Sequence, residues 1–195
     1  MISASDPFEL FTQWFNQAKK ALDISEPTAM TLATSTRDGS PSARIVLLKS
    51  FDVRGFCFFT NYESRKSKEL QANPNASLCF YWMPLDKQVR IIGRAEKTSE
   101  SESDAYFASR ERARQIGAWT SRQSETLNSR EQFDLELKAT EARFDGKDIP
   151  RPPHWGGWRI IPQEIEFWIQ APHRWHERVL FVKSPSGWEK RLLYP

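Results

Sequence analysis

The sequence predicts a mainly β fold with flanking helices, arranged as a closed or nearly closed antiparallel barrel. Three observations carry that prediction. Short segments rich in β-branched and aromatic residues recur along the chain, and turn chemistry such as Asp38-Gly39 and Arg54-Gly55 separates them. The connections between the first three are too short to hold a crossover helix, so an antiparallel meander is expected. Closing such a sheet also removes its exposed edges.

At 195 residues the chain suits one domain, 1–195, and is long enough to bury a core. Thirteen Phe and eight Trp supply the packing material that disordered chains lack. The formal charge of +3 comes from basic residues scattered among acids, which argues against a nucleic-acid partner. No stretch approaches the roughly 18 apolar residues of a membrane helix, and MISASDPFEL lacks the basic-then-apolar pattern of a secretion signal. A cytoplasmic location without membrane contact is expected. Cys57 and Cys79 sit in apolar segments with no CxxC pair and no His at ligand spacing, so reduced core thiols and no metal are expected.

Asp6 as N-cap, Pro7 at the first helical position and Phe8, Phe11, Trp14, Phe15 and Ala18 at helical spacing predict an amphipathic helix over 6–22. Strands follow at 28–35, 42–49, 55–60, 76–82 and 88–98. Between the third and fourth, 63–73 reads as a short helix ending before Pro74. Ser99 with Glu102 forms a capping box for a helix carrying Tyr106, Phe107 and Arg110. A further helix over 128–145 places Phe133, Leu137 and Phe144 on one face, and 145–157, DGKDIPRPPHWGG, reads as a loop. The C-terminal part, 164–195, returns to strands at 164–170, 176–184 and 188–193, for roughly seven or eight strands in all.

Three clusters carry chemistry. Arg44 and Lys49 bracket four apolar residues, and charges at the ends of a buried strand need partners. Ser64, Arg65 and Lys66 open the second helix, where free amides and two cations suit a phosphate. RWHER, 174–178, read as a strand, puts Arg174, His176 and Arg178 on one face, where an anion or an electron-rich ring would relieve their repulsion. Together they point to a phosphate-bearing ligand. No GxSxG, P-loop, GxGxxG or paired-carboxylate pattern is present, so a cofactor is expected to supply any reactivity.

The runs RIVLLK (44–49), FFTNYESRKSKEL (58–70), QVRIIGRAE (88–96), YFASR (106–110), QIGAW (115–119), RQS (122–124), HWGGWR (154–159), IEFW (165–168) and RWHER resemble, in order and spacing, the pyridoxine/pyridoxamine 5'-phosphate oxidase family. The resemblance implies a split β-barrel that binds FMN at the interface of a homodimer. It implies that Arg44 and Lys66 hold the flavin phosphate, with Arg65 and Ser124 close by. Ile45, Val46, Leu47, Lys49, Phe59, Thr60, Gln88, Gln123, Trp168 and Arg178 match further cofactor positions; Phe59 stands where Tyr is common, a change that a backbone contact survives. For the substrate, Lys49, Tyr106 and Arg110 match the holders of the 5'-phosphate, with Arg114 beside them. Arg174 and His176 match the pair over the pyridine ring and are the implied catalytic residues, with Trp175 between them.

The implied reaction oxidises C4' of pyridoxamine or pyridoxine 5'-phosphate to the aldehyde, with O2 as final acceptor and H2O2 as by-product. Two departures stand out. Only five residues precede Asp6, where the family carries a segment that closes over the substrate, and Arg114 replaces a Ser that contacts the substrate phosphate. The alternatives are a flavin-dependent oxidase of the same fold acting on another ring, of the phenazine-precursor type, and a non-catalytic flavin-binding protein.

Overall fold

A computed structural model describes residues 2–195. Helix α1 (Pro7–Lys20) begins where the sequence places it: the Asp6 carboxylate accepts from the amides of Phe8 at 2.7 Å and Glu9 at 3.0 Å. Its buried stripe, Phe8, Leu10, Phe11, Trp14, Phe15 and Ala18, packs onto the sheet. Phe11, fully buried, is the hub. Its ring meets Phe51, Phe56 and Phe80 edge-on at centroid separations of 4.8, 4.9 and 5.2 Å.

The sheet has nine strands: β1 (Ala29–Ser35), β2 (Pro41–Leu47), β3 (Ser50–Asp52), β4 (Gly55–Asn61), β5 (Asn75–Trp82), β6 (Lys87–Lys97), β7 (Trp155–Ile169), β8 (Glu177–Ser184) and β9 (Gly187–Leu193). All its pairings are antiparallel, in the order β2-β1-β5-β6-β7-β4-β3, with β8 and β9 added beside β7. The expected meander holds only in part. Strands β1 and β2 form a hairpin, but β4 crosses over to pair with β7 instead of β2.

Strand β7 organises this arrangement. Residues 155–160 pair with β4, 164–169 pair with β8, and β6 runs along both halves. The changeover lies at Pro162, which has no amide to give a ladder. Opposite it the register slips, with Ile92 facing Glu164 and Gly93 facing Pro162, so Gln163 is the extra residue of a bulge. Gly93 is required there, because a Cβ would lie 2.1 Å from the Ile161 carbonyl oxygen.

Helices α2 (Arg65–Ala72), α3 (Glu100–Ala108), α4 (Arg112–Thr120) and α5 (Arg130–Arg143) complete the fold. The Ser99/Glu102 capping box forms as expected. Phe107, Ile116, Phe144, Ile149 and Trp155 make a second, smaller core under α3 and α4. Four expectations need correction. Helix α3 stops before Arg110, and α4 is an additional helix. Strand β7 begins at Trp155, inside a segment whose Pro and Gly content reads as loop. RWHER is not a strand: Pro172–Arg174 forms a 3-10 turn, His173 and Arg174 take left-handed φ values of 57° and 63°, and β8 starts only at Glu177. The single column of Arg174, His176 and Arg178 therefore does not exist.

Truncating the hub ring should cost heavily. Phe11→Ala is expected to lower stability by about 4 kcal/mol, seen as a reduced urea midpoint; a loss under about 1 kcal/mol would show that α1 is not a core element.

Candidate active site

A cleft of about 440 Å³ opens between the end of β2, the middle of β4, the start of α2 and helices α3 and α4. Its walls include Ile45, Val46, Leu47, Lys49, Phe59, Thr60, Lys66, Tyr106, Arg110, Arg114 and Gln123, eleven of the residues singled out from sequence. Four of these are cations, and no Asp or Glu lines the cleft. The imbalance is the main electrostatic feature of the site.

At one end, Lys66 is nearly buried. Its Nζ donates to Gln123 Oε1 at 2.6 Å, Thr60 Oγ1 at 3.1 Å and Ser64 Oγ at 3.2 Å, and none of these is an anion. Burial, with the nearby Arg44 charge second, lowers its pKa from an ordinary 10.5 to about 8. Arg44 itself is turned to a buried carboxylate. It lies 3.3 Å from Glu69 and donates to Ser42 and Thr34 hydroxyls at 2.5 Å. Burial alone would raise the Glu69 carboxyl, but bonds from Ser42, Thr34, Arg65 and Arg44 outweigh it and hold the pKa at about 2. Glu69 thus fixes Arg44 beside Lys66 in charged form. Arg65 and Ser124 line an adjoining hollow, with Arg65 Nε 2.9 Å from Glu69.

At the other end, Phe59 and Tyr106 stack at 4.1 Å, and Trp155 stacks on Phe59 at 5.6 Å. The close approach needs glycine: a Cβ on Gly157 would lie 2.8 Å from the Phe59 ring. The Arg110 guanidinium lies 4.7 Å above Trp155, and its Nη1 is buried with no hydrogen-bond partner. Burial lowers its pKa and raises that of the Tyr106 hydroxyl. Lys49 and Arg114 stand exposed nearby, Arg114 with Glu111 at 3.4 Å. An anion reaching Arg110 would fill a bonding position that the fold leaves open.

The other sequence-selected residues lie elsewhere on the chain. Gln88, Trp168 and Arg178 are cross-strand neighbours on one face of β6, β7 and β8. The His176 ring lies 4.6 Å from Trp168, and its Nδ1 accepts from the Ala171 amide at 3.2 Å, which leaves Nε2 as the ring's donor. Arg174 and Trp175 are exposed on the left-handed turn. None of these six lines the cleft. Sequence reasoning missed Trp155, the floor beneath Arg110, and Glu69 and Glu166, the carboxylates that hold Arg44 and Arg178. No group of His, Cys, Asp and Glu suited to a metal occurs among the described residues. Among the described residues no helix is long and apolar enough to cross a membrane.

A family model described as pyridoxamine 5'-phosphate oxidase matches residues 15–144, and one described as the pyridoxine 5'-phosphate oxidase C-terminal dimerisation region matches 155–195. The chain belongs to the pyridoxamine 5'-phosphate oxidase family. Pyridoxine/pyridoxamine 5'-phosphate oxidases from Rubrobacter xylanophilus and Burkholderia multivorans are each 53% identical to it. The matches cover 97% of this chain and 87% of the first relative, and 99% and 91% for the second. Like other members of this oxidase family, the chain is an oxidoreductase. PhzG from Burkholderia lata, solved in complex with tetrahydrophenazine-1-carboxylic acid, is 34% identical with a TM-score of 0.93, over 100% of this chain and 95% of that one. A pyridoxamine 5'-phosphate oxidase-related, FMN-binding protein from Nostoc punctiforme, 17% identical over 98% and 100%, has a TM-score of 0.75 and shares the split-barrel fold.

The Lys66 environment predicts a pH dependence. A bound dianion favours the charged amine, so affinity should be complete below the free pKa of about 8 and fall as pH rises through it. Sulfate, whose own charge is constant over this range, should show that decline in calorimetric titrations, and Lys66→Met should abolish it. Unchanged sulfate affinity on both sides of pH 8 would contradict the assignment.

Proposed function

We propose that the chain is a homodimeric FMN-dependent oxidase that converts pyridoxamine and pyridoxine 5'-phosphate to pyridoxal 5'-phosphate, with O2 as acceptor and H2O2 as by-product; from the amine, hydrolysis of the imine also releases ammonia. The observation that carries this reading is the cleft with cations at both ends and no carboxylate in its lining. Two phosphates, one from cofactor and one from substrate, match its two ends. Lys66, Arg44, Thr60 and Gln123 would hold the flavin phosphate, with Arg65 and Ser124 flanking, and the Lys66 amine fits because none of its present partners is an anion. Backbone and side chains of Ile45, Val46, Leu47 and Phe59 would wall the flavin ring.

Lys49, Tyr106, Arg110 and Arg114 would bind the substrate phosphate, Arg110 through its unpartnered Nη1. Arg174 and His176 would hold the substrate ring, His176 donating from Nε2, with Trp175 alongside. Bound FMN supplies the two-electron acceptor for oxidation at C4'. The chain's own work is to orient the substrate by charge and to keep water out with the Phe59, Tyr106 and Trp155 rings. Trp155 and Trp168 stand thirteen positions apart on β7, up to about 40 Å of strand. None of Gln88, Trp168, Arg178, Arg174 and His176 lines the cleft of its own chain, which supports a second copy delivering them to it.

The similarity to PhzG favours a second reading, oxidation of a reduced ring substrate that is anchored by a carboxylate instead of a phosphate ester. One assay separates them. Anaerobic pyridoxamine 5'-phosphate should bleach the visible flavin band of the FMN-loaded protein, and air should restore it with pyridoxal phosphate and peroxide formed. Bleaching only by a tetrahydrophenazine carboxylate would replace the first reading with the second. Arg110→Ala should raise KM for the phosphate substrate about 10- to 100-fold with a smaller change in kcat.

A further inference from the structure

Glu166, in the C-terminal half of β7, is nearly fully buried although it lies on the sheet face that carries Cys79, Arg90 and Leu180. Both of its oxygens are used. Oε2 accepts from Arg90 Nη2 at 2.5 Å, and Oε1 accepts from Arg178 Nε at 2.8 Å, with Arg178 Nη2 at 2.7 Å. The last nitrogen of Arg178, Nη1, donates to the Tyr194 carbonyl at 3.0 Å. The guanidinium is thereby fixed in plane and direction, opposite Trp168 in the ladder. A solvent-facing Arg on a strand loses rotamer entropy when it is held this way, and a surface ion pair does not offset that loss. A buried, fully bonded carboxylate does hold it.

We infer that Glu166 is a positioning residue for the cofactor: it aims Arg178 along the row of Gln88 and Trp168, and the flavin is held through that arginine. This rests on the reading that Arg178 meets FMN. Arg90 has a different part. It is the second cation on the carboxylate, opposite Glu166 in the ladder, one step along the face from the row of Gln88, Trp168 and Arg178.

The test measures FMN dissociation constants and the visible flavin spectrum on purified protein whose oligomeric state is checked by sedimentation. Glu166→Gln should weaken FMN roughly 10- to 100-fold and shift the flavin band. In an Arg178→Ala background the same change should alter affinity by less than about twofold, because the intermediary is gone. Arg90→Ala should leave FMN affinity within about threefold, since Arg178 keeps its carboxylate. If Glu166→Gln alone does not fold, the Arg90→Met/Glu166→Gln pair keeps the cluster's net charge and should show the same flavin loss.

An unchanged affinity in Glu166→Gln or in the pair overturns the inference. So does a Glu166→Gln effect that persists in full without Arg178, or an equal loss in Arg90→Ala, since either would make the cluster merely structural. A wild-type protein that takes up no FMN would instead overturn the flavin reading, and this inference with it.

Discussion

The structure depends on one unbroken strand. Strand β7 pairs with β4 along its first half and with β8 along its second, and it does so because Pro162 and the bulge opposite Gly93 let it change partners without ending. Its first residue, Trp155, floors the cleft, and its far end carries Glu166 and Trp168. A break at the bend would separate the anion-binding cleft from the face that carries Arg178. Burial reinforces the same point, since Trp158, Ile160, Ile165 and Phe167 of this strand all enter the main core.

Around that strand, the charges follow a simple division. Some cations are fixed in place by buried carboxylates: Arg44 has Glu69, and Arg90 and Arg178 have Glu166. Lys66 and Arg110, the most buried cations facing the cleft, have none. A buried charge without a counter-ion lowers stability, and a fold keeps it only where something else supplies the opposite sign. The contrast separates cations whose direction the fold sets from cations whose charge is left for a ligand to neutralise.

Local signals in the sequence were dependable. The Asp6-Pro7 start and the Ser99/Glu102 box are fixed by interactions within a few residues, and both appear in the structure, as do strands at each expected segment apart from the RWHER end of β8. Two kinds of feature were not legible. Pairings between distant segments, such as β4 with β7 or Arg90 with Glu166, leave no trace in periodicity. The turn at His173 and Arg174 was hidden because its left-handed residues are not glycines, so a run of bulky residues read as a strand. At the site, helix-terminus chemistry pointed to Lys66, whereas Arg110, Tyr106 and Gln123 were reached only through family resemblance. Trp155 was obscured by the prolines that precede it.

The stacked rings at the cleft also give the molecule an optical property. Trp155 is one of eight indoles, buried, in contact range of Phe59 and beneath the Arg110 guanidinium. Any anion that captures Arg110 changes the field across that indole, and any yellow chromophore in the cleft lies within energy-transfer range of it. Its emission is therefore a built-in gauge of occupancy. Trp155→Phe should reduce the fluorescence change on ligand addition, while an unchanged response would locate it in other tryptophans, Trp168 and Trp175 first.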